Sequence, residues 1–227
     1  MAWPVTPYID GGTVVVTSTL AYIRKTEHVR RDGRVALLCG SFHLTGQASV
    51  HADTSGDEFV SRFLPQELKK YPPGRQIVGI PGHRLLFSWY FGRVFMEFRP
   101  DQVREVPGPD RCTLITLDES GFPNIVPISE PDPDEKTFEL SVAAAGATSV
   151  PVDGPATVLS HVEPTMSDLR QLVLRGDIRS GTFHVRSKLG SLAPAPRRGW
   201  FGGLQQQLEL HQRGRKSRKV IQTWDSR

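Results

Sequence analysis

The sequence predicts a mainly β protein with short helices, and three observations carry that expectation. Segments rich in β-branched and aromatic residues recur along the chain, bounded by Gly, Pro and Asp turn signals. The 227 residues include 21 Gly and 18 Pro, which favours frequent turns over long helices. The two halves of the chain can also be laid over each other, which suggests a duplicated β unit.

Residues 13–18 (TVVVTS) are β-branched and follow the turn signal Asp10-Gly11-Gly12, so they read as a strand. Residues 34–39 (RVALLC) form a second strand after Asp32-Gly33, and 45–51 (TGQASVH) alternate weakly as a third. In 56–71 (GDEFVSRFLPQELKKY), Phe59, Val60, Phe63 and Leu64 fall at helical spacing, with Pro65 interrupting. Pro72-Pro73-Gly74 stops that region. Residues 85–99 (LLFSWYFGRVFMEFR) read as one aromatic strand segment, with Gly92 as a bulge or hairpin point.

The second half begins near Pro107. Residues 111–117 (RCTLITL) and 124–128 (NIVPI) read as a hairpin around a turn at 118–121, and 138–143, 157–161, 172–178 and 182–186 read as further strands. After Ala193, APAPRRGWFGG reads as a linker, and LQQQLELHQRGRKSRK as either a short amphipathic helix or a disordered tail. The organisation expected is a first domain at 1–106, a degenerate second copy at 107–192, and a linker with a basic tail at 193–227.

The overlay of the halves has an offset of about 120 residues, far beyond solenoid length. Asp32-Gly33-Arg34-Val35-Ala36 falls on Asp153-Gly154-Pro155-Ala156-Thr157, and Gly46 falls on Gly176 once about ten residues are added in the second half. Two features lack counterparts. The opening strand at 111–117 has no equivalent ahead of Pro4. The cationic segment at 22–31 falls against the uncharged AAAGATSVP of 143–151.

The formal net charge is +4 and the isoelectric point about 9.3. This suits an anionic ligand but is too mild to indicate nucleic-acid binding. The tail 213–219 (RGRKSRK) reads as a solvated terminus in preference to a nucleic-acid contact. Two cysteines argue against a disulfide framework and for a reducing compartment. No run approaches the roughly 18 to 20 apolar residues that span a bilayer. The start, MAWPVTPYIDGG, does not read as a secretory signal. The expectation is a cytoplasmic protein with no membrane partner. No metal site is expected: Cys39 and Cys112 lack zinc spacing. His43 and His51 would stand about 27 Å apart on an extended strand.

The most distinctive stretch is IRKTEHVRRDGRVALLC, residues 23–39. From Arg24 to Arg34 it carries five cationic and two acidic side chains, then runs directly into a core-like strand. Positive charge against an apolar wall suits a ligand with a phosphate tail and a flat aromatic head. Arg24, Lys25, Arg30 and Arg31 offer charge and donors, and an Arg can engage two oxygens at once. Thr17 and Ser18 would add hydroxyls, and a helix at 26–31 would add N-terminal amides. The competing reading is that these cations form a solvated helix face.

The ordered set Thr17-Ser18, Arg24-Lys25, the helix-like 26–31, Asp32-Gly33, the strands 34–38 and 45–50, and the hairpin 114–127 (LITLDESGFPNIVP) resembles one family. It is that of the FMN-binding split β-barrels, the pyridoxamine 5′-phosphate oxidase-like proteins and their deazaflavin-dependent reductase relatives. The resemblance covers most of 1–106 and, more loosely, 110–190. Gly33 stands where the family has Pro, the first opening strand is absent, and the second copy lacks the cationic pair. The resemblance implies a split β-barrel duplicated in tandem within one chain. It implies FMN, or alternatively a deazaflavin, in a groove that a homodimer or an internal pseudo-dimer closes. Thr17, Ser18, Arg24, Lys25, Arg30 and Arg31 would then surround the cofactor phosphate. The implied activity is an oxidoreductase moving a hydride to or from a small-molecule substrate. The alternative is a non-catalytic flavin- or ligand-binding module. Some relatives bind haem, which is not expected here. No catalytic residue is identified; His28, Tyr22 and Tyr90 are candidate pocket residues, and Trp89-Tyr90-Phe91 reads as core or as a stacking platform.

Overall fold

The computed structural model describes residues 2–71, 74–106, 111–132, 134–140, 153–165, 168–194 and 200–224. The first half runs β1 (Tyr8–Asp10), β2 (Thr13–Thr19), a 3-10 turn at Leu20–Tyr22, α1 (Arg24–Arg31), β3 (Arg34–Cys39) and β4 (Phe42–Asp53). Five short helices follow: α2 (Asp57–Arg62), α3 (Leu64–Lys70), α4 (Gly74–Val78), α5 (His83–Leu86) and α6 (Ser88–Phe91). They lead into β5 (Arg93–Glu105). The second half runs β6 (Cys112–Leu117), β7 (Pro123–Pro127), β8 (Thr137–Glu139), β9 (Gly154–Val162), β10 (Arg170–Arg179), β11 (Thr182–Ser191) and α7 (Trp200–Gln222). The protein is mainly β, with two antiparallel sheets ordered β1-β2-β5-β4-β3 and β7-β6-β9-β10-β11-β8. Among the described residues neither sheet closes into a barrel.

The order β2-β5-β4-β3 in one sheet reappears as β8-β11-β10-β9 in the other. The register agrees as well. Val35 lies opposite Gly46, and Ala156 lies opposite Gly176, which are the residue pairs that the sequence overlay equates. Leu38 opposite His43 likewise matches Leu159 opposite Val173. On the far side of β9 the second sheet adds β6 and β7, whereas β3 is a sheet edge among the described residues. That edge is where the overlay leaves the first half without an opening strand.

The chain divides into two compact units that are discontinuous in sequence. One contains residues 1–4, 34–47 and 100–195. Its core is aliphatic, with Leu114, Ile128, Val158, Leu174 and Ile178 packed about Phe183. The other contains residues 5–33, 48–99 and 196–227. Its core is aromatic, built from Tyr8, Phe59, Phe63, Phe91 and Phe95. Beside it Leu20, Ile23 and Val94 pack against Ile221 of α7. The units do not follow the contiguous 1–106 and 107–192 division drawn from sequence, because the long strands β4 and β5 each contribute residues to both.

Two segments differ from expectation. Residues 85–91 are helical, and the strand begins only after Gly92. The helical turns place Phe87, Tyr90 and Phe91 at i, i+3 and i+4 on the aromatic core. A Cβ on Gly92 would lie 2.5 Å from Leu20 Cδ1 and 3.0 Å from the Thr54 carbonyl, so the chain turns there on a close backbone approach. The basic tail belongs to a 23-residue helix, neither short nor disordered. Leu210, Gly214, Ser217 and Ile221 form its buried stripe. Of the expected linker at 193–203, residues 195–199 lie outside the described residues and 200–203 form the start of α7; the uncharged stretch at 143–151, and Pro72 and Pro73, also lie outside the described residues. No described helix is long and apolar enough to cross a membrane.

Candidate functional site

The cationic segment folds so that its charges part. The 3-10 turn runs straight into α1, which begins at Arg24, two residues earlier than the sequence suggests. The Thr26 and Glu27 amides donate to the Ile23 carbonyl at 2.9 and 3.3 Å, and the Thr26 hydroxyl donates to it at 2.6 Å. Those amides are therefore engaged within the chain, and the expected N-terminal cradle at residue 26 does not form. Helical periodicity then buries Thr26 and Val29, half-buries Lys25, and leaves Arg24, His28, Arg30 and Arg31 exposed. The Arg30 guanidinium sits 5.1 Å over the Trp224 ring. Tyr22 is 49% exposed.

The two hydroxyl residues also part, as neighbours on a strand must. Ser18 is buried and donates to the Tyr22 carbonyl at 2.9 Å. Thr17, opposite Phe95, is hydrogen-bonded to the Tyr8 phenol. Of the six residues singled out from sequence, Thr17 bonds a polar cluster inside its unit, and the half-buried Lys25 is close enough to feel that cluster's charge. Ser18 is satisfied locally, and three arginines lie on the surface.

That cluster is organised by two residues the sequence reading missed, Arg93 at the start of β5 and Glu67 on α3. Arg93 is 5% exposed. Its guanidinium carbon lies 4.0 Å over the Phe59 ring and 4.5 Å over the Tyr90 ring, a desolvated cation against two aromatic faces. Glu67 accepts hydrogen bonds from Tyr8 at 2.7 Å and Tyr90 at 2.6 Å. Its nearer oxygen is 3.7 Å from Arg93 Nη2, close enough for an ion pair but too far for a hydrogen bond. Arg93 Nε and Nη2 are buried without a hydrogen-bond partner. Burial pushes the Lys25 ammonium below its ordinary pKa, and the like charge of Arg93 pushes it further. Burial and the Glu67 charge raise both tyrosine pKa values, so the phenols stay protonated and donate.

A signal for Arg93 exists in the sequence: it is the one cation within the run Phe91-Gly92-Arg93-Val94-Phe95-Met96, and a charge amid buried apolar residues is seldom idle. Glu67, in FLPQELKKY, looks like one more solvated helix charge and gives no comparable sign.

Other polar groups are satisfied among themselves. His51 Nε2 stands 3.0 Å from both Glu58 oxygens, and these with Glu97 are spaced as metal ligands would be. Arg62, however, binds Glu58 and Glu97 and also Asp10, supplying the positive charge that a cation would bring. In the other unit, buried His43 accepts from Arg104 Nε at 3.0 Å. Burial first, and then the Arg104 charge, depress its pKa from 6.5 to about 4.

No family model, no curated protein and no solved structure matches the chain.

Proposed function

We propose that the chain is a tandem split β-barrel that binds FMN or a deazaflavin and serves as an oxidoreductase acting on a small molecule. The single observation carrying this reading is the repeated strand order, in matching register, with the cationic segment present in only one copy. A duplicated unit that keeps its frame and charges one copy fits one cofactor per chain, held by a pseudo-dimer. The donor set suits the cofactor's phosphate. Thr17 bonds the cluster and Lys25 lies half-buried within reach of its charge, and an ammonium is a strong phosphate partner. The exposed Arg24, Arg30 and Arg31 add long-range attraction for an anion. When bound, the flavin supplies the hydride chemistry, and the chain binds and orients it. Cys39, exposed, and Cys112, buried, are not joined in a disulfide, which fits a reducing cytoplasmic setting.

A non-catalytic ligand-binding module is the second reading. An absorption spectrum and mass analysis of what co-purifies with the full chain test both readings. Released FMN or deazaflavin supports them, and a colourless preparation that takes up neither counts against them. Steady turnover with a reductant separates enzyme from module.

A further inference from the structure

Arg93 poses an electrostatic problem that its unit does not solve. A guanidinium carries five donors in a planar fork and stays charged under all ordinary conditions. Here it is 5% exposed, set in the corner between the perpendicular rings of Phe59 and Tyr90, with Nε and Nη2 lacking any hydrogen-bond partner. The one carboxylate paired with it among the described residues, Glu67, already accepts from Tyr8 and Tyr90. Leaving charged donors buried and unmade is strongly unfavourable. A second cation, Lys25, approaches closely enough for the two charges to interact. A buried guanidinium with idle donors is an arrangement that an anion completes.

We infer that the buried Arg93 guanidinium, with its unpartnered Nε and Nη2, forms an oxyanion site taking a phosphate or carboxylate group, to which Lys25 adds a second positive charge. Nε and an Nη of one guanidinium match two oxygens of either group, and Lys25 adds a point charge. The two rings pack against the buried guanidinium, so little rotamer freedom is lost on binding. Glu67 holds Tyr8 and Tyr90 in place and turns their protons away from the anion. The site is an assignment in its own right and does not depend on the ligand's ring being a flavin.

The test is thermal unfolding of the full chain without flavin, in inorganic phosphate or in acetate, against chloride at equal ionic strength. Phosphate or acetate is expected to raise Tm saturably, by about 5 °C at high occupancy. A rise with phosphate alone identifies a phosphate-bearing ligand, and a rise with acetate alone a carboxylate; either supports the site. Arg93→Met keeps a long apolar side chain against the two rings and is expected to abolish the rise. Should that variant fail to fold, Lys25→Met at the half-buried position serves instead and is expected to weaken the apparent affinity at least about tenfold. No rise over chloride in the unaltered protein, or the same rise in the variants, would overturn the assignment.

Discussion

Strands β2, β5, β4 and β3 follow the order and register of β8, β11, β10 and β9, yet the connections within the two sets have little in common. Between β10 and β11 lie only Ser180 and Gly181, both left-handed at φ 49° and 79°, a hairpin turn of the kind that matches strand twist. Between β4 and β5 lie α2 to α6. Those helices bring Phe59, Glu67 and Tyr90 to Arg93, and the β2–β3 connection brings Lys25. The second set instead surrounds Phe183 with aliphatic side chains and the stacked ring of Phe138, with no buried charge among its cluster residues. A shared frame thus supports two interiors, and the charged cluster belongs to the inserted connections.

The largest effect is expected from emptying each core. Phe59→Ala and Phe183→Ala, both at fully buried positions, should each lose about 3–5 kcal/mol in urea denaturation. Only Phe59→Ala should also diminish the stabilisation by phosphate, because it removes one of the rings packed against Arg93.

A second contrast lies at His43, whose counterpart in the other frame is the buried Val173. The unfolded chain binds a proton at His43 near pH 6.5, whereas the folded chain binds it only near pH 4. The unfolded state therefore holds more protons between those values, and stability falls as pH drops through that window. The full effect is roughly 3 kcal/mol. Denaturation at a series of pH values checks this, and His43→Val should flatten that part of the profile.

Smaller effects belong to the backbone. Gly92→Ala presses a methyl group against Leu20 and the Thr54 carbonyl and should cost about 1–2 kcal/mol, seen as a lower midpoint in urea. Ser180→Gly should raise stability by about 0.5 kcal/mol by relieving a left-handed non-glycine residue.

Much of the frame is legible in the sequence because its signals are local. Asp32-Gly33 and the β-branched, apolar run after it define β3 at both ends, and Pro65 marks the break between α2 and α3. The run LLFSWYF carries no such arbiter. Its apolar residues fit either period, and the tertiary contacts of Phe87, Tyr90 and Phe91 decide for helix. The cationic segment is visible, but which of its charges turns inward depends on where α1 starts, and the 3-10 turn sets that. Arg93 and Glu67 become partners only when α3 and β5 meet, a long-range fact that no local pattern encodes.

The most direct test is a flavin titration followed by difference absorbance, using the unaltered chain, Lys25→Ala and Arg24→Ala. FMN or a deazaflavin should bind the first. Lys25→Ala should weaken binding by about tenfold or more, while Arg24→Ala, at an exposed position, should change it little. Failure of the unaltered chain to bind either flavin, or a Lys25 variant that binds as tightly as its parent, would contradict the account.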